Sequence, residues 1–300
     1  MNTPVDIQPA LNPTVCIAGI ARDETRFVDE WLLYHRHIGV DRVILYDDDP
    51  RLPLARLLEA HGSFVTVVPW HGRHAGLPGR NRQTKAYEHA VREHALDFDW
   101  VGFLDVDEFV VLRQHESLKA FLAGFGSFSA VSLTWHQFGH NGFFDDPEGL
   151  VTSQLTRRMR EPGPMVKTFS RPSAIANIGS AHYCRLKEGH VRADANGRLS
   201  KEPYAGKTGA ANINHYLCRS FSRWMARAGR GDVSIDIAEG VAPENLWRLD
   251  ADMCLRKFVE EVAVDGNEMV DDHMLRFQKV LQEGLEDLKG AREAIAAMAP

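Results

Sequence analysis

The sequence has few cysteines, and none of them is placed for metal binding or redox chemistry. Its 300 residues include four cysteines, and no two of these form a C-x-x-C pair. Zinc sites built from thiolates and dithiol redox centres need closely spaced cysteines. The sequence therefore excludes both, and we expect buried thiols in a reducing compartment. The four residues are Cys16, Cys184, Cys218 and Cys254.

Long apolar runs and an excess of positive charge are also missing. No apolar stretch approaches the roughly 18 residues that a membrane-spanning helix requires, and the first ten residues lack the basic start and apolar run of a signal peptide. The net charge of -6 argues against general nucleic-acid binding, which depends on clustered Lys and Arg. We expect a cytoplasmic protein, or one peripheral to the inner face of the membrane, with no transmembrane segment and no nucleic-acid partner.

Neither of the common phosphate-binding signatures is present. The chain contains no G-x-G-x-x-G and no G-x-x-x-x-G-K-[ST], so it has neither a dinucleotide fingerprint nor a P-loop. Even so, the pattern of apolar residues predicts strands at 15–20, 43–46 and 64–68, with helices at 27–38 and 52–62 between them and a third helix at 81–96. This order is typical of a nucleotide-binding sheet with right-handed crossovers. Any phosphates must be held in some other way.

An acidic motif interrupts the most apolar segment of the chain. Residues 101–112 are apolar except for three carboxylates, Asp105, Asp107 and Glu108, and the run predicts a buried central strand of a parallel sheet. Carboxylates do not stay ionised in a core without partners. We therefore expect them at the carboxyl end of the strand, in the crevice where α/β sheets bind ligands. An Asp-x-Asp pair there suits Mg²⁺ or Mn²⁺ bound to substrate phosphates, although the motif alone also fits a solvated acidic turn.

The second half of the chain carries fewer signals. His182 and His215 each precede a tyrosine, which fits either a metal ligand or a half-buried structural histidine. Arginines recur near helical spacing from Arg219 to Arg230, and they form either a phosphate-binding lid or a solvated helix face. Residues 253–298 are mostly amphipathic helix. We expect a disordered N-terminus at 1–13, a catalytic domain at 14–235 and a helical C-terminal appendage at 236–300.

Taken together, these motifs resemble glycosyltransferase family 92 and its bacterial family-2-like relatives, which are GT-A-fold enzymes that transfer a sugar from a nucleotide sugar. The resemblance runs in order over about residues 14 to 231. The matching positions are Arg22-Asp23-Glu24; Glu30-Trp31 and Tyr34-His35 followed by Gly39; Tyr46-Asp47; Arg82-Gln83 with Tyr87; the segment from Phe103 to Phe109; Trp135 with Phe138-Gly139 and Gly142; His215-Tyr216; and Arg230-Gly231.

The resemblance implies an α/β, GT-A-like fold, with a mostly parallel central sheet flanked by helices and the helical appendage after it. It also implies a nucleotide-sugar donor, with UDP-sugars favoured, a glycan or small hydroxyl acceptor, and Mn²⁺ or Mg²⁺ held by Asp105, Asp107 and a histidine, His215 in preference to His182. Asp47 would bind the base, or else cap the following helix. Trp135 would stack on the sugar, or else belong to the core. The implied nucleotide-sugar-binding residues are Arg22, Glu24, Asp47, Arg82, Gln83, Asp105, Trp135, Arg219 and Arg230.

The resemblance also implies an inverting mechanism, which needs a base for the acceptor hydroxyl. Asp145, Asp146 and Glu148 are the candidates, chosen for their location just past Trp135, with His136 and His140 in reserve. Relatives carry acidic residues just after the His-Tyr segment, where this chain has Ser222 and Arg223, and this departure leaves the base open. The C-terminal helices are expected to pack on the domain, pair two subunits or touch a membrane surface.

Three other functions are compatible with parts of this pattern. A haloacid-dehalogenase-like phosphohydrolase also has an apolar strand that ends in Asp-x-Asp, but there the motif lies near the start of the domain, whereas here three β-α units precede it. A nucleotidyltransferase on a related sheet is a further alternative. The third is a non-catalytic module that binds nucleotide sugars without turnover.

Overall fold

The computed structural model describes residues 12–73, 82–200, 209–226, 228, 250–263 and 265–298. The strands are β1 (Val15–Ala21), β2 (Arg42–Asp47), β3 (Val65–Pro69), β4 (Trp100–Phe103), β5 (Glu108–Leu112), β6 (Ala130–Gln137), β7 (Arg157–Arg158), β8 (Val166–Ser170), β9 (Ile175–Ile178), β10 (Cys184–Leu186), β11 (Arg192–Asp194), β12 (Leu199–Ser200), β13 (Ala211–His215) and β14 (Met269–Val270). The helices are α1 (Val28–His37), α2 (Leu54–Leu57), α3 (Arg82–Ala90), α4 (Leu118–Ala123), α5 (Val151–Gln154), α6 (Phe221–Met225), α7 (Ala251–Lys257) and α8 (Gln278–Met298).

The central sheet is mostly parallel and has the strand order β12-β11-β6-β8-β4-β1-β2-β3. Strands β1 to β4 run parallel, and β8 runs antiparallel to both β4 and β6. Strand β13 runs parallel to β6 and antiparallel to β5. The carboxyl ends of β1, β2, β4, β6 and β13 and the amino end of β8 therefore meet at one edge. The predicted α/β fold with a mostly parallel sheet flanked by helices is confirmed.

Helix α1 covers one face of the sheet and anchors the strand that follows the acidic motif. Every residue of β1 is buried, as expected for a strand with neighbours on both sides. From α1, Trp31 Nε1 donates to the Glu108 carbonyl at 2.8 Å, and the Tyr34 hydroxyl donates to the Val110 carbonyl at 2.6 Å. Gly39 follows the helix with φ of 98°, a left-handed conformation that favours glycine.

The predicted single strand at 101–112 is wrong, because the chain turns at residues 104–107 and divides it into β4 and β5. The amide of Glu108 donates to the Asp105 carbonyl at 3.0 Å, and the Glu108 carboxylate accepts from the Asp105 amide at 2.9 Å. These two bonds close the turn. The carboxylates are nevertheless at the carboxyl end of β4, as predicted.

The C-terminal region packs on the domain. The predicted helix at 253–298 is interrupted after α7, where β14 pairs with β7 and short turns lead into α8. On α8, Leu281 belongs to the main core and Gly284 lies so close to Leu33 that an added Cβ would be 3.1 Å from the leucine. Arg292 donates to Asp29 at 2.7 Å. Of the alternatives for the C-terminal helices, packing on the domain is the one observed for α8.

All four cysteines are buried, as predicted, and none of them forms a disulfide with another described residue. Among the described residues, no helix is both long enough and apolar enough to cross a bilayer. Residues 1–11 and most of 227–249, which include Arg230 and the expected domain boundary, lie outside the described residues.

The packing of α8 yields a stability prediction. Replacing Leu281, which is 1% exposed, with Ala should lower the free energy of unfolding by about 2–4 kcal/mol, because it leaves a cavity in the main core. The matched control is Val280→Ala on the adjacent, 37% exposed side chain, which should cost less than about 0.5 kcal/mol. Urea denaturation measures both, and equal effects would contradict a shared core.

Candidate active site

The acidic turn between β4 and β5 is the centre of the site, since the strand directions bring five other segments to the same edge. Asp105 is partly exposed, Asp107 is 8% exposed and Glu108 is completely buried. Lysine 167 faces them from the start of β8, because β8 runs antiparallel to β4. His215 faces them from the end of β13, paired in register with Glu108.

The Asp105 carboxylate is held by three side chains. Its Oδ1 atom accepts from Gln83 Nε2 at 2.6 Å and from the Tyr87 hydroxyl at 3.4 Å, and its Oδ2 atom accepts from Lys167 Nζ at 3.0 Å. Gln83 and Tyr87 lie on α3, one turn apart, so they reach the same oxygen. The structure thus brings together the predicted residues Gln83 and Asp105.

Lys167 is a site residue that the sequence analysis missed. Its side chain is completely buried, and its ammonium lies 3.0 Å from Glu108 Oε2 as well as from Asp105, with a further bond to the Ala181 carbonyl at 3.1 Å. Burial alone would lower the pKa of Lys167, but the Asp105 and Glu108 carboxylates together raise it above its ordinary value, so the ammonium stays charged. The sequence does show Lys167 within an apolar segment, and a lysine buried in a strand needs an anionic partner. That position could have indicated its role.

His215 lies beside Asp107, and Trp135 contacts both His215 and His182. His215 Nε2 is 3.6 Å from Asp107 Oδ1. The Trp135 ring lies between the imidazoles, at 4.1 Å from His215 and 5.1 Å from His182 between ring centroids. Burial, and then the positive charge of Lys167, lowers the pKa of His182 to about 3, so its ring is neutral. Trp135 is partly buried and touches both candidate ligands. Its position fits both a core residue and a platform for the sugar.

The donor set fits a divalent ion in part. Within the described ranges, no three His, Cys, Asp or Glu side chains are gathered closely enough to form a complete metal site. However, His215 Nε2 lies 3.6 Å from Asp107 Oδ1, and carboxylate oxygens are ligands that suit Mn²⁺ and Mg²⁺. Asp107 and His215 could therefore supply two ligands, and substrate phosphate oxygens would have to supply others.

At the carboxyl end of β2, Asp47 and Asp48 have different environments. Asp47 accepts from the backbone amides of Leu54 at 2.9 Å and Asp49 at 3.2 Å, so it ties down the start of α2. Asp48 forms an ion pair with Arg82 at 3.2 Å. Burial raises the pKa of Asp48, and the positive charges of Arg82 and Arg22 oppose this shift. The predicted residue Arg82 therefore pairs with Asp48 rather than with Asp47.

Arg219 pairs with Glu24 on the other side of the site. The two side chains, both predicted to bind the nucleotide sugar, are 2.7 Å apart between Nη1 and Oε2, and the Arg219 guanidinium lies 4.0 Å from the centroid of the Phe27 ring. Burial lowers the pKa of Arg219, but Glu24 and Asp107 raise it above its usual value. Its Nε atom is buried without a partner, and this leaves a donor for a further oxygen.

The three candidate bases lie on the loop before α5 and contact the α6 segment to different degrees. Asp145 is exposed and accepts from the Ser222 hydroxyl at 2.6 Å. Asp146 accepts two bonds from Arg223, at 3.0 and 2.8 Å, and one from Ser220 at 2.8 Å. Burial tends to raise the pKa of Asp146, but these hydrogen bonds hold it below its ordinary value. Glu148 is exposed. The contacts with Ser222 and Arg223 are made by Asp145 and Asp146.

The two interpretations of Asp47 lead to different outcomes for Asp47→Asn. If Asp47 serves the backbone, the substitution replaces one acceptor oxygen with an amide and should lower the free energy of unfolding by about 1–2 kcal/mol. UDP affinity should then change little. Thermal denaturation and UDP titration measure the two effects, and an affinity loss with unchanged stability would instead support base binding by Asp47.

Sequence comparison finds one family over most of the chain. The model of glycosyltransferase family 92 matches residues 12–226. A family 92 protein of Oryza sativa subsp. japonica is 28% identical over 283 residues, which are 91% of this chain and 44% of that protein. A family 92 protein of Ricinus communis is 26% identical over 289 residues, which are 91% of this chain and 45% of that protein. The chain thus spans less than half the length of these relatives.

Comparison with solved structures gives partial likenesses. Mannosyl-3-phosphoglycerate synthase from Rubrobacter xylanophilus aligns over 55% of this chain and 56% of its own, with 14% identity and a TM-score of 0.34. Glucosyl-3-phosphoglycerate synthase from Mycobacterium tuberculosis, in complex with Mn²⁺, UDP and glucosyl-3-phosphoglycerate, aligns over 54% and 58% with 14% identity and a TM-score of 0.32.

The family assignment rests on sequence and agrees with the geometry of the site. The matched residues 12–226 cover more than half of the chain and include all the strands whose ends form this edge, from β1 to β13. Nothing in this match supports the phosphohydrolase alternative, and the acidic motif follows the fourth strand instead of the first. The chain belongs to glycosyltransferase family 92.

Proposed function

We propose that the protein is a metal-dependent, inverting glycosyltransferase that transfers a sugar from a nucleotide diphosphate sugar to a hydroxyl group of a glycan or small acceptor. A UDP-sugar is the favoured donor. The observation that carries this proposal is the convergence, in a family 92 member, of Asp107, His215 and Trp135 with the Glu24–Arg219 pair at the carboxyl edge of the sheet.

Asp107 with His215 or His182 would hold Mn²⁺ or Mg²⁺ in this proposal. The ion would supply positive charge to the diphosphate, where negative charge grows as the nucleotide leaves. Arg219 would add a guanidinium from the other side, since its unpartnered Nε can donate to a phosphate oxygen. Its pairing with Glu24 fixes the direction of the fork before substrate binds.

The nucleoside would lie against the ends of β1 and β2. Arg22, Asp48 and Arg82 form a charged cluster there, and Gln83 follows Arg82 on α3 with its amide on Asp105. Helix α3 thereby connects the proposed base and ribose region to the acidic turn. Asp48, with its carboxylate held by a side chain instead of the backbone, is better placed than Asp47 to respond to a bound base.

Asp145 is the favoured catalytic base. A base needs a carboxylate that is ionised yet able to take up a proton. The lowered pKa of Asp146 and its two bonds from Arg223 make it a poor proton acceptor. Asp145 lies on the same loop, is exposed, and accepts a hydrogen bond from the uncharged Ser222 hydroxyl.

The metal requirement predicts a specific pattern of nucleotide binding. Calorimetric titration should give UDP binding that is tighter with Mn²⁺ than without it, and tighter than that of GDP. Asp107→Ala should weaken the Mn²⁺-dependent part by about 10- to 100-fold, the usual range for disturbed metal sites. The control is Asp252→Ala, which removes an exposed carboxylate on α7 and should leave binding unchanged.

Absence of binding by either nucleotide, with any divalent ion, would contradict this proposal. Metal-dependent UDP binding without sugar transfer to any acceptor in a saccharide panel would instead support the non-catalytic module.

The assignment of the base predicts a loss of rate without a loss of binding. Asp145→Asn should slow UDP release from a UDP-sugar, in the presence of a responsive saccharide acceptor, by about 100- to 10,000-fold. The affinity for UDP with Mn²⁺ should be unchanged. Glu148→Gln on the same loop is the matched control and should retain most of the rate. The reverse order of the two variants would move the base to Glu148.

A cytoplasmic location, association with the inner face of a membrane and pairing of two subunits through the C-terminal helices stay predictions. The contacts of α8 with Asp29 and Leu57 already occupy part of its surface, which restricts any subunit contact to its exposed face.

A further inference from the structure

An exposed aromatic side chain, Phe144, lies beside the proposed catalytic base. Phe144 is 65% exposed, and among the described residues it is the only phenylalanine, tyrosine or tryptophan that is exposed. It directly precedes Asp145 on the loop before α5. Leaving a phenylalanine in water forgoes the free energy gained by burying it, so its position next to a polar site indicates a role in binding.

Stacked aromatic rings hold Phe144 in place. The Phe144 ring lies 5.1 Å from the ring of Phe221 on α6, with 34° between the planes. Phe221 in turn lies 5.0 Å from the ring of Phe258, which is 7% exposed. The backbone supports the same contact, because the Ser222 amide donates to the Phe144 carbonyl at 2.8 Å. The ring thus packs against α6, and its exposed surface is fixed before any ligand arrives.

Polar groups border this aromatic surface. Asp145 is exposed and accepts from the Ser222 hydroxyl at 2.6 Å, and both oxygens retain lone pairs that can accept hydrogen bonds from a ligand. An exposed apolar patch with a polar rim is typical of a binding site. Sites for small molecules likewise combine aromatic side chains with a few polar groups that fix the orientation of the ligand.

The aromatic surface belongs to the same site as the acidic turn. Asp146, the next residue after Asp145, accepts from the Ser220 hydroxyl at 2.8 Å. Burial lowers the pKa of Arg219, and the carboxylates that oppose this shift include Asp107 and Asp146. The guanidinium therefore interacts with the acidic turn and with the loop that carries Phe144.

A sugar ring fits this combination of groups. One face of a pyranose carries several C–H groups, which are attracted to the negative face of an aromatic ring. The hydroxyl groups around the sugar ring can donate to a carboxylate and a hydroxyl placed as in Asp145 and Ser222. An acyclic alcohol has no such face and would leave the ring of Phe144 uncovered.

We propose that Phe144 is the platform for the acceptor, and that the acceptor is a saccharide whose pyranose ring stacks on Phe144 and directs a hydroxyl group to Asp145. The inference rests on the proposed function, since it takes Asp145 as the catalytic base. It goes beyond that function by selecting saccharides over acyclic acceptors, and it makes Phe144 a residue that determines specificity.

Saturation-transfer difference NMR tests the platform. The probes are methyl β-D-galactopyranoside and methyl β-D-glucopyranoside, with glycerol as the acyclic control, each with and without UDP and Mn²⁺. With wild-type protein, at least one glycoside should give signals that are strongest for the C–H groups of one ring face. Phe144→Ala should reduce these signals by about five- to tenfold, since the stacking contact is lost. Phe144→Tyr keeps the ring and should retain them, and glycerol should show no dependence on Phe144.

The matched control is Leu96→Ala, which removes a 62% exposed apolar side chain just before β4, at the opposite edge of the sheet, and should match the wild type. Equal glycoside signals in wild type and Phe144→Ala would overturn the inference. So would the absence of any glycoside signal from protein that binds UDP with Mn²⁺, and both results leave the proposed function standing. Absence of UDP binding would instead overturn the proposed function, whereas the signals recorded without nucleotide still report on Phe144.

Discussion

The structure of the site depends on one buried lysine. Glu108 is completely buried and Asp105 is partly exposed at the carboxyl end of β4, and the ammonium of Lys167 lies 3.0 Å from each of them. A buried carboxylate such as Glu108 is stable only with a compensating charge. The bond from the Asp105 amide to Glu108 closes the turn, so the lysine also maintains the backbone that presents Asp107. The ammonium of Lys167 therefore both compensates the buried charge and maintains the shape of the turn.

Strand direction explains why distant residues meet at this turn. A parallel strand brings its carboxyl end to the crevice and an antiparallel strand brings its amino end, so β13 contributes its last residue, His215, and β8 contributes Lys167 near its first. Helix α3 then spans the edge, with Arg82 on Asp48 and Gln83 on Asp105. Side chains from five segments of the chain therefore become neighbours at this edge.

Much of the fold could be predicted from the sequence, and the reasons differ from element to element. Strands β1, β2 and β3 and helix α1 with Gly39 have local signals, which are apolar runs, helical periodicity and a glycine at the helix end. The turn between β4 and β5 was missed, because an apolar run does not reveal which partner each half of it has. Strand β5 pairs with β13, about a hundred residues later. A partner at that distance in the sequence cannot be inferred from the local run of apolar residues.

The same distinction applies to the site. Asp105, Asp107 and His215 could be proposed from the sequence because their residue types and spacing carry chemical information, whereas only the packing of β8 against β4 reveals Lys167. Asp47 and Asp48 are adjacent, and no sequence pattern decides which of them caps the backbone and which one pairs with Arg82.

The position of β13 in the sheet affects the order in which the domain folds. Because β13 lies between β5 and β6, a chain that emerges from the ribosome can build β1 to β4 first, but His215 and Arg219 join only after the long segment that follows β6 has been made. Such non-local pairings are slow to form, so the binding edge should be the last part of the domain to mature during folding.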